Sequence, residues 1–187
     1  RSEVDPSFKN RYKFIKRFEK KENEDFNGII NYIKNKSPDE IKITASSVNS
    51  SSYSPQNVII YDQNNHYFWS NNESGSWICF DFNENTVIPT DYTIKSSTNW
   101  GSDCPDPQNW VIEGSNDNNS WILLSEEKNC KILHGSGITH TFKIKNQIST
   151  QFRYIRLRET GVNGHNNNYL IIESIEIYGT MKKINNK

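Results

Sequence analysis

The chain has no surplus of charge of either sign, no long apolar run and few cysteines, and each absence removes a class of function. Its 22 basic and 22 acidic side chains cancel. A protein that grips nucleic acid by its phosphates needs a basic surplus, so nucleic acid is not an expected partner. No stretch comes near the roughly 18 apolar residues that a membrane-spanning helix requires. Cys79, Cys104 and Cys130 make an odd number with no close spacing, so a disulfide framework is not expected and a reducing, cytoplasmic location is. The four histidines, His66, His134, His140 and His165, are scattered without an i, i+4 pair, which speaks against a metal site. Paired carboxylates, a nucleophile beside a base, and a glycine-rich phosphate loop are all missing. No enzyme and no cofactor are expected.

What the chain does have is aromatic bulk. Apolar residues make up only 33 % of its 187 residues, but nine Tyr, nine Phe and five Trp can fill a thin core because each buries a large area. The length suits one domain. The first residue is Arg1, and the sequence is expected to be part of a longer protein. Four Asn-x-Ser/Thr acceptors (Asn35, Asn49, Asn72, Asn118) are expected by chance in so asparagine-rich a chain.

Residues 1–40 read as a linker. Tyr12, Phe14, Ile15 and Phe18 come close to alternation and predict a short strand or docking segment. Phe26, Ile29, Ile30 and Ile33 fall at helical spacing, with Asp25 as the expected cap and Ser37-Pro38 as the stop. The helix is expected to pack on the main domain, or to meet a partner. From residue 41 the pattern turns to short strands: IKITAS, WICFDF, DYTIKS, WVIEGS, WILLS, THTFKIK, FRYIRLRE and LIIESIEIYG. About eight antiparallel strands without crossover helices predict an all-β sandwich or jelly roll. In FRYIRLRE, Ile155 and Leu157 share one face while Tyr154, Arg156 and Arg158 share the other. Residues 181–187 read as a tail.

One stretch, WVIEGSNDNNSWILL, carries a tryptophan on each side of its turn. Gly, Asn and Asp tolerate the backbone of a short hairpin loop, but this does not explain Trp110 and Trp121.

Five segments in order resemble discoidin domains, also called coagulation-factor type-C domains, of the galactose-binding-like jelly rolls. They are the loop carrying Asp62, Trp69 and Ser70, the strand with Trp77, Asp81 and Phe82, and the hairpin with Ser115, Asp117 and Trp121, where Asn118 stands in place of the usual Gly. Arg153-Tyr154-Ile155-Arg156 and the closing Glu176 and Gly179 complete the set. The resemblance covers about residues 41–180. It implies a jelly roll in which the hairpin tryptophans pack into the sandwich. The cysteine pair that brackets secreted members is missing, so the chain resembles intracellular members attached to BTB-domain scaffold proteins.

The resemblance also implies a ligand end, formed here by loops 49–74, 97–109 and 161–169. Its candidate residues are Trp69, Trp100, Asp103, Arg158, Asn163 and His165. An aromatic face with fixed donors and acceptors suits a sugar, and Arg suits a carboxylate. Against this, Trp69 also fits the role of loop support, and Arg158 could pair with Glu159 or Glu173. Trp100 is the only large apolar candidate at a loop tip, too little for peripheral membrane binding. Asp62 with Asn64 and Asn65 could offer oxygen ligands to Ca²⁺, without a repeated acidic pattern behind them. The expected function is a non-enzymatic binding module with a protein partner. A carbohydrate-binding lectin is the alternative, and a structural part of a cytoskeletal or axonemal array is a third.

Overall fold

The computed structural model describes residues 12–62 and 66–184, with side chains from residue 15 to 183 in those segments. What was read for residues 1–11, for 185–187 and for Asn64 and Asn65 lies outside the described residues. Among those described, eleven strands form: β1 (Tyr12–Phe18), β2 (Lys42–Ala45), β3 (Phe68–Trp69), β4 (Trp77–Asp81), β5 (Asn85–Lys95), β6 (Trp110–Ser115), β7 (Ile122–Glu127), β8 (Thr139–Lys143), β9 (Tyr154–Glu159), β10 (Ile171–Ile172) and β11 (Ser174–Ile184). One helix, α1 (Ile29–Lys36), precedes β2.

A four-stranded sheet runs β1-β11-β5-β8 and a five-stranded sheet runs β2-β4-β9-β6-β7, with β3 and β10 forming a separate short pair. All pairings are antiparallel. Residues of both large sheets, among them Phe80, Ile94, Trp110, Leu157 and Ile177, meet in one buried cluster. This is the β-sandwich jelly roll that the strand pattern predicts.

Alternation decides which way each strand faces. In β9, Ile155, Leu157 and Glu159 are buried while Tyr154, Arg156 and Arg158 lie half-buried on the outer face. Opposite Arg156 and Arg158 in β6 stand Glu113 and Val111. Gly114 is required where it is, because a Cβ there would sit 2.6 Å from the Phe152 ring.

Pro89 falls inside β5, where it cannot donate to the ladder. The β5–β11 register shifts between Tyr178 and Gly179, opposite it. Gly179 has φ +138, and a Cβ there would meet the Ile88 carbonyl oxygen at 2.1 Å. Only glycine fits.

Strand β1 is part of the sandwich. β1 hydrogen-bonds to Gly179–Ile184 of β11, so β11 runs through most of the stretch read as a tail. Helix α1 buries Ile29, Ile30 and Ile33. Its cap is not Asp25: Gly28 occupies the N-cap position with no side-chain cap. The donors of the first turn that lack intrahelical partners go to Glu176, whose carboxylate accepts from the N–H groups of Gly28, Ile30 and Asn31 at 3.1, 2.8 and 3.0 Å. A residue distant in sequence thus satisfies the helix terminus.

The two hairpin tryptophans differ. Trp110 is buried in the core, and its Nε1 donates to the Tyr92 hydroxyl at 3.1 Å. Trp121, expected in the core, is half-buried outside it, with the Arg156 guanidinium 3.9 Å above its ring. Its neighbour Ile122 is 48 % exposed, so this end of the hairpin lies at the surface. The turn between them is built by side chains. Ser115 accepts from the N–H groups of Asp117 and Asn118, Asp117 accepts from those of Asn119 and Ser120, and Asn118 takes φ +57.

Candidate functional site

The three loops expected to form the ligand end do meet. Asn49 N–H donates to the Trp69 carbonyl at 2.8 Å, and Asn168 N–H to Asn72 Oδ1 at 2.8 Å. Gly164 N–H donates to the Asp106 carbonyl at 3.0 Å. A Cβ at Gly164 would lie 2.9 Å from Asp106 Oδ1, so this close approach of two loops depends on glycine.

Where they meet, aromatic rings collect around Trp69. Its ring centroid is 5.0 Å from Tyr53, 5.6 Å from Trp100 and 5.5 Å from Tyr169, the last two edge-on. Tyr53 in turn stacks on Tyr67 at 4.9 Å, and Trp100 stands 6.4 Å from His165. Offset and edge-on contacts are the favoured arrangements for aromatic pairs. Tyr67 is buried beneath, and burial raises its phenol to about 12. The indole N–H groups of Trp69 and Trp100 are buried and make no hydrogen bond among the described residues.

Each ring is held by its loop. Trp100 ends a short 3-10 turn, Thr98–Trp100, whose start is fixed by the buried Glu173: its Oε2 accepts from both the N–H and the hydroxyl of Thr98 at 2.7 Å. Glu173 is also ion-paired with Lys95. Trp69 is held by the pairing of β3 with Ile171. At the rim, His165 Nε2 lies 2.8 Å from Asp103 Oδ1, and the Asp103 side chain is 89 % exposed.

The structure thus brings Trp69, Trp100, Asp103 and His165 together. Asn163 lies under them as a loop organiser: its amide donates to Asn167 Oδ1 and the Tyr169 carbonyl, and its oxygen accepts from His165 N–H. Among the described residues no hydrogen bond, ion pair or ring contact joins Arg158 to the group, and neither Glu159 nor Glu173 pairs with it. Its guanidinium is bidentate on Glu113, at 3.0 and 2.8 Å, on the outer face of the five-stranded sheet. Glu113 also accepts from Arg156 at 2.7 Å, and the two guanidinium groups hold its carboxyl below the usual range against the opposing effect of burial.

Three cluster residues, Tyr53, Tyr67 and Tyr169, were not singled out in the sequence. All three lie in the loops assigned to the ligand end, and an aromatic search of those loops would have found them. With Lys95 and Arg158 both committed to carboxylates, the chemistry offered at the rim is ring face plus the Asp103–His165 pair. That suits a neutral or apolar partner better than an anionic one.

Among the described residues no three His, Cys, Asp or Glu side chains come close enough to hold a metal ion, and no helix is long and apolar enough to cross a membrane. Cys79, Cys104 and Cys130 are all unpaired and buried. Burial pushes the thiols of Cys79 and Cys104 up to about 12 and about 11, which makes them poor nucleophiles.

Comparison with known proteins agrees with this architecture. The family model described as F5/8 type C domain matches residues 42–174. The chain is 33 % identical over 96 residues to the E3 ubiquitin-protein ligase Ufd4 of Drosophila melanogaster, a match that spans 50 % of the chain and 3 % of the ligase. It is 27 % identical over 140 residues to the E3 ubiquitin-protein ligase hecd-1 of Caenorhabditis elegans, across 74 % of the chain and 5 % of that protein. The chain therefore spans a small fraction of these relatives. Among solved structures, CpGH89CBM32-5 from Clostridium perfringens, in complex with GalNAc-β-1,3-galactose, superposes with a TM-score of 0.58 at 16 % identity, covering 75 % of the chain and 96 % of that structure.

Proposed function

The chain belongs to the F5/8 type C domain family, and from that premise we propose that it is the non-catalytic recognition module of a larger intracellular protein, binding a protein segment at the ring cluster. The observation that carries this reading is the grouping of half-buried Trp69, Trp100 and Tyr169 beside the exposed Asp103–His165 pair. Aromatic residues ringed by polar groups are the common anchors of protein recognition. The buried, unpaired cysteines suit a reducing compartment. The small share of the two ubiquitin ligases that the chain matches suits a module that selects a partner for activity housed elsewhere in a long protein.

The ring faces also favour a second reading, a neutral sugar stacked on Trp100. The disaccharide in the Clostridium perfringens structure lends this reading support by analogy of fold alone. The two separate experimentally. Affinity capture from cell extract with the wild type, Trp100→Ala and Asp103→Ala tests the first. A partner retained by the wild type and lost from both variants supports it, and equal retention by all three rejects it. A glycan array with hits that Trp100→Ala abolishes would favour the sugar.

A further inference from the structure

A second surface, sharing no residue with the ring cluster, lies where β1 meets α1. A groove of about 320 Å³ is lined on one side by Lys16, Arg17 and Phe18 and on the other by Asn27, Asn31 and Tyr32. A further hollow of about 230 Å³ shares Tyr32 and Lys36 with it and extends to Met181 and Lys183.

The floor is aromatic, with Phe18 and Tyr32 centroids 5.1 Å apart. Along the helix side, Asn31 and Asn35 stand at i, i+4 spacing and share one face, with Asn27 just before the helix. On the other side, β1 is the outermost strand of its sheet. Its outer row of N–H and C=O groups therefore has no strand partner among the described residues, which is the usual template for adding an extended segment. Ile15 on this strand is 58 % exposed.

Charge selects the occupant. Arg17 pairs with Glu19 at 2.8 Å, Lys21 reaches Glu24 at 3.9 Å, and Lys183 pairs with Glu40. Lys16 and Lys36 have no carboxylate partner among the described residues. Lys16 instead sits 4.0 Å over the Tyr32 ring. In a chain of zero net charge, two exposed, uncompensated cations in one groove form a local positive site.

We propose that this groove binds an acidic, extended segment of a partner protein. Its backbone runs along the outer edge of β1, and its carboxylates meet Lys36 and the Lys16 ammonium that lies over the Phe18 and Tyr32 rings. This surface is separate from the ring cluster and does not depend on the reading given for it.

The test uses a short fluorescein-labelled peptide alternating glutamate and valine, with anisotropy as readout. The wild type binds it, and added salt weakens the complex. The double variant Lys16→Glu/Lys36→Glu weakens it about tenfold or more and gains affinity for the matching lysine–valine peptide. Trp100→Ala binds it like the wild type. Amide shift mapping on the wild type, which needs no variant to fold, places the shifts in residues 15–19 and 27–36. Absence of binding, unchanged affinity in the double variant, or equal binding of the lysine peptide overturns the proposal. So does displacement by inorganic phosphate as effectively as by unlabelled peptide, or saturation of the groove by a second copy of the chain.

Discussion

The backbone N–H of Gly28 donates to Oε2 of Glu176 at 3.1 Å, joining residues 148 positions apart. The same carboxylate takes the N–H groups of Ile30, Asn31 and Ile177, so one side chain of β11 both caps α1 and ties it to the sandwich. Removing it leaves these donors buried. Glu176→Ala is expected to cost about 2–3 kcal/mol in chemical unfolding and to raise amide exchange across residues 29–36. Gly28→Ala should act in the same direction, because a Cβ there would lie 2.5 Å from the Ile177 carbonyl oxygen. Unchanged exchange in the helix would contradict the capping role.

Buried carboxyls also set the response to pH. Glu159 is 1 % exposed, with neither oxygen hydrogen-bonded among the described residues, and burial raises its pKa from 4.5 to about 8. Glu176 is raised to about 7 by burial, which outweighs its backbone donors. A raised carboxyl ionises in the unfolded chain before it does so in the folded one. Stability therefore falls as pH climbs from about 4.5 toward 8. Glu113 and Asp81 work oppositely. Their arginine partners depress their pKa values, so their contribution is full above the ordinary carboxylate range and fades as pH drops below it. The melting temperature should peak near pH 5. Glu159→Gln should flatten the alkaline limb, by a difference on the order of 4 kcal/mol between pH 5 and pH 9. Parallel slopes for variant and wild type would refute this assignment.

The hairpin tryptophans give a matched comparison. Trp110→Ala empties a fully buried site and breaks the bond to Tyr92, and should cost about 3–5 kcal/mol. Trp121→Ala loses an outer-face contact with Arg156 and should cost about 1 kcal/mol. Denaturant midpoints of the two variants decide it, and equal losses would be inconsistent with the structure.

At the ring cluster, two substitutions separate contact from support. Asn163→Ala removes the hydrogen bonds that shape loop 161–169, so it should raise exchange throughout that loop and weaken binding through disorder. Trp100→Ala should weaken binding at least as much while leaving exchange in that loop near the wild-type level. If both variants show the same exchange profile, Trp100 serves as support as well.

Part of this fold was legible from strand alternation. β9 buries Ile155, Leu157 and Glu159 as its period-two pattern requires, whereas β4 buries Cys79 along with Ile78 and Phe80. The loops that gather around Trp69 could be located because their motifs fall in family order. What could not be read depends on distant partners. Asp25 looked like the helix cap because caps are usually local, whereas the donors go to Glu176. Arg158 was named because an arginine suits a carboxylate ligand, yet cross-strand register sets it beside Val111 and within reach of Glu113. Trp121 was expected in the core because the resemblance implies that both hairpin tryptophans pack into the sandwich. Its place immediately before β7, at the end of an exposed turn, leaves it to cover Arg156 instead.

The most direct test of the recognition role is photo-crosslinking from position 103 in the full-length protein inside cells, since the Asp103 side chain is 89 % exposed at the rim of the cluster. The account predicts a discrete adduct with a partner protein that disappears when Trp100→Ala is added. An adduct that persists in that variant, or adducts from other faces with none from position 103, would contradict it.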